Sequence, residues 1–305
     1  MSAPPLITAL VSTYSAERFI RGCLDDLVAQ SALDALEILV VDSGSPQGEG
    51  AICADYARRY PQIRLIRTER EQLYAAWNRA IGLARGTYLT SANTDDRHHP
   101  CFVERMIGAL DANPRAGLAY ADQYLSPTEN ETFEACAQRG ATRLRRPDYT
   151  PAELLIRCIT GSQPVWRRAL HERHGRFDTR YRIAADYDMW LRIARHHELL
   201  HVAEPLGVFY DSPDTLSGAR NHAQMYAESL DIQRACLQES PWREQPGLRG
   251  RLAAELFGRG YRFVRGRQRQ AAAALMREAI RLDPSNAAFR KTYFLRCVLG
   301  IPTFG

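Results

Sequence analysis

Five residues stand out for the chemistry their types and spacing allow. Asn93-Thr94-Asp95-Asp96 follows directly on an apolar run. Two adjacent carboxylates, Asp95 and Asp96, offer hard, acceptor-only oxygens that suit Mg²⁺ or Mn²⁺. A metal held by so few protein ligands keeps places open for a diphosphate and offsets charge on a leaving nucleoside diphosphate. The same residues also suit a turn whose Asp caps the next helix; the apolar run ahead of them points toward chemistry. Asp42 ends a second apolar run, EILVVD, where it could accept a hydrogen bond from a base or ribose, although DSGS by itself is an ordinary turn. Thr13, with Tyr14 after it, ends a third run and has the same two readings. Asp186 opens DYDMWLR, where a carboxylate could take a proton from an attacking hydroxyl; in isolation it reads as an N-cap. His98 and His99 read as solvent-facing first-turn residues rather than ligands. No G-x-G-x-x-G and no Walker-type Gly-Lys-Ser/Thr occurs.

The elements that must position these residues alternate. LITALV is a continuous apolar run, as a buried parallel strand is. Phe19, Ile20, Cys23, Leu24 and Leu27 mark a helix face. EILVVD, IRLIR, TYLTSAN and LAYADQYL follow as strands, separated by helices with apolar faces at Cys53 and Tyr56, at Leu73, Ala76, Trp77 and Ala80, and at Phe102, Val103 and Met106. Such alternation predicts a parallel sheet covered on both faces, with its ligand beyond the carboxyl ends of the strands. Thr13, Asp42, Asp95 and Asp96 all fall at those ends. Residues 126–150 are polar and Arg-rich and read as a loop or short hairpin over the site. A helix over 151–159 and the stretch PVWRRAL come next. DYDMWLRIARHHE is an amphipathic helix on which Asp188 and Arg192 can pair at i,i+4. ELLHVAEPLGVFY reads as strand, turn, strand, and the chain from Ala223 is helical throughout. Trp77, Trp166 and Trp190 read as packing residues.

Composition narrows the class. The chain has 305 residues, 45% apolar and 25% charged, which excludes a disordered or fibrous protein. No run approaches the roughly 20 apolar residues of a membrane span. The start, MSAPPLITALVS, lacks the basic stretch of a secretory leader and reads as the first strand. Seven cysteines at wide spacing, with no C-x-x-C, argue against a disulfide framework or zinc site and suggest a cytoplasmic setting. The net charge of +5 is uneven: residues 240–305 hold thirteen basic residues against four acids. Arg259, Arg262, Arg265, Arg267 and Arg269 crowd one region with no acid over 256–277. That fits either a solvated face or an anionic partner such as the inner membrane surface, with peripheral attachment there. Nothing resembles a nucleic-acid-binding motif.

Together these features resemble the family 2 glycosyltransferases, over roughly residues 5–220. The family's elements come in its order: a strand ending in Ser-Thr-Tyr, VVDSGS, YAAWNRAIGLARGTYLTSANTDD with Asn78, Ile81, Ala84 and Gly86 at the family spacing, then GRFDTRYRIAADYDMWLRIA. The resemblance implies an α/β GT-A fold, Rossmann-like and mostly parallel, over 1–220, and a helical extension over 221–305. It implies that Thr13 and Asp42 hold the nucleotide of a nucleotide-sugar donor, Asp42 facing the base. Asp95 and Asp96 match the family's metal and diphosphate motif. Asp186 matches the base that deprotonates an acceptor hydroxyl for attack with inversion. Glycan, lipid-linked and protein acceptors, in surface polysaccharide or glycoconjugate synthesis, are the expected class. Three positions depart from the pattern: Asn93 for an acid, Ala185 for Glu, and Ser212 where relatives often carry His. They leave a second reading, a nucleotide-sugar-binding or scaffold protein without turnover. Gly258, Tyr261, Ala272, Met276, Ala279 and Pro284 are similar to one tetratricopeptide repeat with a connection about two residues too long. A lone repeat needs a surface to pack on: the catalytic domain, a second subunit or another protein.

Overall fold

The computed structural model describes residues 4–301. The chain divides into two compact units. One comprises the described residues up to Tyr149 with Ile159–Thr215, and the other Thr150–Cys158 with the chain from Leu216 onward. The segment 150–158 thus belongs with the helical extension, a point the linear sequence does not reveal.

The first unit begins with β1 (Ile7–Thr13), α1 (Glu17–Val28), β2 (Leu36–Asp42), α2 (Glu49–Arg59), β3 (Ile63–Arg67), α3 (Leu73–Leu83) and β4 (Tyr88–Ser91). Then come β5 (Arg97–His98), α4 (Phe102–Ala112), β6 (Ala116–Ser126), α5 (Phe133–Gln138) and β7 (Arg143–Leu144). In the second unit α6 (Pro151–Ile156) starts behind a Thr150 cap with proline in its first turn. The first unit resumes with β8 (Val165–Arg167), α7 (Leu170–His174), α8 (Ala185–Ala194) and β9 (Glu198–Tyr210).

The strands form one mixed sheet in the order β3-β2-β1-β4-β8-β6-β9-β5, with β7 against β6. β3, β2, β1 and β4 are mutually parallel, as are β6 and β9, so the expected mostly parallel sheet is present. β8 lies antiparallel between β4 and β6. β1 and β2 are buried along nearly their whole length because helices cover both faces; α1 contributes Phe19, Ile20, Cys23, Leu24 and Leu27. Gly86 lets the entry to β4 close on β1: a Cβ there would stand 2.6 Å from the Thr8 amide nitrogen. Beneath it Glu37 is buried, accepting from Thr8 Oγ1 at 2.7 Å and from Arg64 and Arg85 at 2.7 and 2.6 Å. Trp166 and Trp190 are fully buried and pack edge to face at 4.9 Å. Such a pair contributes about 0.5–1.5 kcal/mol beyond its buried area.

Three local expectations change. Residues 126–150 contain a helix and a two-residue strand rather than a plain loop or hairpin. ELLHVAEPLGVFY is one 13-residue strand. Its pairing with β6 shifts register around Asp122, which lies opposite Pro205, so the proline is absorbed by a bulge instead of a turn. Arg97-His98 is a strand paired with Val208 and Gly207, not the start of a helix.

The second unit continues with α9 (His222–Cys236), α10 (Leu248–Arg265), α11 (Arg269–Leu282) and α12 (Ala287–Tyr293). Here the close approach of α10 and α11 is at Gly260, whose Cβ would meet Met276 Cγ at 2.8 Å; Gly258 faces open space. Arg259 is not part of a solvated basic face. It is 8% exposed, pairs with Glu255 at 2.8 Å, donates to the Ile156 carbonyl and lies over the Tyr226 ring. The acid that neutralises it stands just outside the acid-free window.

Candidate active site

Parallel register sets Thr13 beside Asp42 at the carboxyl ends of β1 and β2. β4 runs parallel to β1 with Leu10 opposite Ser91, so the turn carrying Asp95 and Asp96 leaves the sheet at the same end. The structure therefore brings together four of the five singled-out residues.

Thr13 is 1% exposed, and its Oγ1 has no hydrogen-bond partner among the described residues; the neighbouring Ser43 Oγ is equally orphaned. Buried polar atoms are rarely left so. Asp42 is buried, yet its carboxylate is loosely engaged: Ser45 N–H donates at 3.4 Å, and Arg67 Nε stands 3.8 Å away. Half-exposed Tyr14 lies at the rim with the Arg70 guanidinium over its ring. Glu49, fully buried, accepts from the Ala16 amide and so fastens the loop after β1 to the start of α2.

The two acids after β4 differ sharply. Asp96 is buried, and its Oδ1 accepts from the Tyr210 amide at 3.1 Å while Oδ2 accepts from Asn93 Nδ2 at 3.3 Å. Asp95 is half-buried and feels the charge of Arg18, which pairs with Glu129 at 2.7 Å. The Tyr210 hydroxyl donates to the same Glu129, at 3.3 Å. Burial pushes the Asp95 carboxyl up, and burial together with the Asp95 charge pushes Asp96 up. No three His, Cys, Asp or Glu side chains form a ready-made metal cage among the described residues. The donor set does fit Mg²⁺ or Mn²⁺ in the manner of cations that take one or two carboxylates and complete their shell from substrate phosphate. These are carboxylate oxygens raised by burial, a charge that a divalent cation would relieve.

Asp186 lies in the first turn of α8, half-buried, and accepts from the Tyr74 hydroxyl at 3.0 Å. Tyr74 also reaches the Ile183 carbonyl at 2.7 Å. Asn78, one turn further along α3, clamps the segment ahead of α8: its Nδ2 donates to the Phe177 carbonyl at 2.8 Å and its Oδ1 accepts the Phe177 amide at 3.0 Å. The Asn of the motif thus holds the segment that carries Asp186. Asp188 pairs with Arg192 at 2.8 Å, and the same guanidinium donates to the His174 and Arg176 carbonyls, so this pair is a half-buried clamp. The sequence alone does not single out Tyr74, Arg18, Arg70 or Tyr210. For Tyr74 a signal existed: a hydroxyl on an otherwise apolar helical face.

His98 is not solvent-facing. It is 2% exposed on β5 and packs edge-on against Phe102, and burial holds it neutral with its pKa down to about 4. His99 packs on Phe133 and accepts from the Cys101 amide. Ser212 Oγ accepts from the Asp214 amide. All seven cysteines are unbridged. No helix among the described residues is long and apolar enough to cross a membrane.

Comparison with known proteins agrees with this architecture. Uncharacterized glycosyltransferase EpsJ of Bacillus subtilis is 28% identical over 222 residues, covering 70% of this chain and 63% of that one. Chondroitin synthase of Escherichia coli is 25% identical over 199 residues, 65% of this chain but 28% of its own length. The chain spans less than two thirds of the length of the curated relatives it first matches. Among solved structures, mannosyltransferase PcManGT from Pyrobaculum calidifontis, in complex with GDP-Man and Mn²⁺, aligns over 97% of this chain and 81% of its own. Its TM-score is 0.63 at 19% identity. S. aureus TarS 1–349 in complex with UDP-GlcNAc aligns over 91% and 83%, with a TM-score of 0.67 at 15% identity. These two likenesses establish the fold. The profile of Glycosyl transferase family 2 matches residues 8–161, half of the chain, and the chain belongs to that family.

Proposed function

We propose that this chain transfers a sugar from a nucleotide-diphospho-sugar donor to an acceptor hydroxyl, with inversion at the anomeric carbon. One observation carries the reading: a carboxylate on α8, Asp186, is fixed by Tyr74 in the same compact unit as the orphaned Thr13 hydroxyl, Asp42 and the Asp95-Asp96 turn. The Thr13 hydroxyl and the loosely engaged Asp42 carboxylate would bind the nucleoside, Asp42 accepting from a base N–H. Asp95, backed by Asp96, would hold Mg²⁺ or Mn²⁺. When bound, the ion supplies counter-charge to the leaving diphosphate. Asp186 accepts the acceptor's proton as its oxygen bonds to the anomeric carbon and the bond to the donor phosphate breaks. Tyr74 orients that carboxylate and stabilises its charge. An acceptor on a glycan, lipid-linked or protein scaffold, in surface polysaccharide or glycoconjugate synthesis, is consistent with a relative named chondroitin synthase.

The test is a donor screen following UDP, GDP or dTDP release from a panel of nucleotide sugars, with Mg²⁺, Mn²⁺ or EDTA, and the anomeric configuration of the product read by NMR. Metal-stimulated release with an inverted product supports the reading; a retained configuration overturns it. A second reading, donor binding without turnover, draws on one feature: Asn93 is neutral and Asp96 is already engaged by Tyr210 and Asn93, so Asp95 stands nearly alone. Saturable donor binding with no nucleotide release across the panel would favour it.

In the helical unit we read α10 and α11 as one tetratricopeptide-like hairpin with a shifted register. Gly260 and Phe263, in place of Gly258 and Tyr261, give the repeat's spacing to Ala272, Met276, Ala279 and Pro284 without extra residues.

A further inference from the structure

We propose that the C-terminal helical unit docks on an anionic lipid surface through an exposed apolar patch edged by unpaired cations. The patch consists of Phe294, Val298, Leu299 and Ile301, which are 52%, 55%, 55% and 39% exposed. They lie on and just after the helical turns that follow α12. Single exposed apolar residues need no explanation, but four within eight residues at the end of one helix are a concentration that does.

The surrounding charge says what that face fits. The chain has no acid from residue 284 to residue 301. Arg290 and Lys291 are exposed one turn before Phe294. Arg269 reaches the Gly300 carbonyl, between Leu299 and Ile301, which brings the turn joining α10 and α11 to the border of the patch. Arg267 in that turn and Arg265 at the end of α10 are both exposed. Arg277 and Arg269 both act on the Cys297 thiol, which packs 3.7 Å from Met276 of α11. Several other arginines of this unit are neutralised: Arg234 and Arg281 by Glu278, Arg259 by Glu255, Arg251 by Glu153. Around the patch, Arg265, Arg267 and Arg269 have no acidic partner among the described residues.

Apolar side chains within a cationic border are the pattern of a surface that inserts shallowly among headgroups while its cations meet anionic lipid. A second copy of this chain fits less well, because a two-fold contact would set the same cations against each other. A soluble polyanion would satisfy the cations and leave the apolar centre exposed.

The experiment is co-sedimentation of the full chain with phosphatidylcholine vesicles, with and without phosphatidylglycerol, at low and high salt. The expected result is binding to the anionic vesicles that weakens in high salt, with little binding to the neutral ones. Arg265→Gln, Arg267→Gln and Arg269→Gln should each weaken partitioning about fivefold. The triple variant Phe294→Ser, Val298→Ser, Leu299→Ser alters exposed positions only and should keep its thermal melt while losing at least about tenfold in partitioning. Absence of binding, binding indifferent to lipid charge, or capture by heparin but not by vesicles would overturn the proposal. So would a patch variant that dissociates an oligomer while vesicle binding stays intact.

Discussion

The turn after β4 and the first turn of α8 each carry two acids, and each divides them in the same way. After β4, Asp96 is buried and holds the Tyr210 amide and the Asn93 side chain, while Asp95 stays half-exposed. On α8, Asp188 anchors Arg192, which gathers the carbonyls of His174 and Arg176, while Asp186 takes the Tyr74 hydroxyl. In both places one carboxylate builds the local structure and the other is the one proposed to take part in the reaction. Residue type and spacing do not decide which is which; the groups delivered from across the fold do.

The division is broken most directly at the base. Asp186→Asn keeps shape and capping ability but cannot accept a proton, so transfer should fall about 10²–10⁴-fold. Donor affinity, measured by calorimetry, should hold. The β4 turn should split next. Asp95→Ala is expected to lower metal-stimulated turnover about 10²-fold or more with an unchanged melting temperature. Asp96→Ala leaves the Tyr210 amide and the Asn93 amide without an acceptor and should cost about 1–3 kcal/mol of stability. Equal melting temperatures for these two variants would show that the distinction between the acids is false.

Glu37 sharpens the contrast from outside the site, as a buried acid with cationic partners and no chemistry. Burial pushes its carboxyl up, but the Arg85 amide, Arg64, Thr8 and the Arg85 guanidinium outweigh it and hold the pKa below its ordinary 4.5. A lowered folded-state pKa means stability that is present above 4.5 and lost as pH falls through the folded value. Glu37→Gln should cost about 1–2 kcal/mol at neutral pH by weakening its hydrogen bonds to Thr8 and to two arginines that stay partly solvated. Denaturant midpoints should then converge with wild type as pH drops below that range. The smallest effect is expected from Asp188→Asn: about 1 kcal/mol of stability and nearly unchanged turnover. A larger kinetic loss there than at Asp186 would reverse the assignment on α8.

Much of this arrangement is legible in the sequence. The alternating runs of the first half of the chain are local patterns, and the positions of Thr13, Asp42, Asp95 and Asp96 follow from where each run ends; Asp186 is reached only through the family resemblance. What was hidden lies across the fold. Asp96 is engaged by a residue 114 positions away, and Asp186 by one 112 positions away. His98 looked like a helix start because its strand is two residues long and exists only by pairing with β9. Arg259 looked unpaired because Glu255 stands one helical turn before the acid-free stretch. Gly258 and Gly260 are indistinguishable by type, and only helix packing shows that Gly260 makes the close approach.

The clamp between Asn78 and the Phe177 backbone closes a loop of 99 residues. It fixes the approach to Asp186 from α3, not from the segments that lie between them in the chain. Loop-closure entropy grows only slowly with length, so an exposed turn inside the loop, such as that at Gly140, tolerates insertion at small thermodynamic cost. Exposed turns inside this loop can therefore vary while Asp186, the carboxylate proposed as the base, stays where α3 puts it. Diversification and catalysis are held on separate tethers.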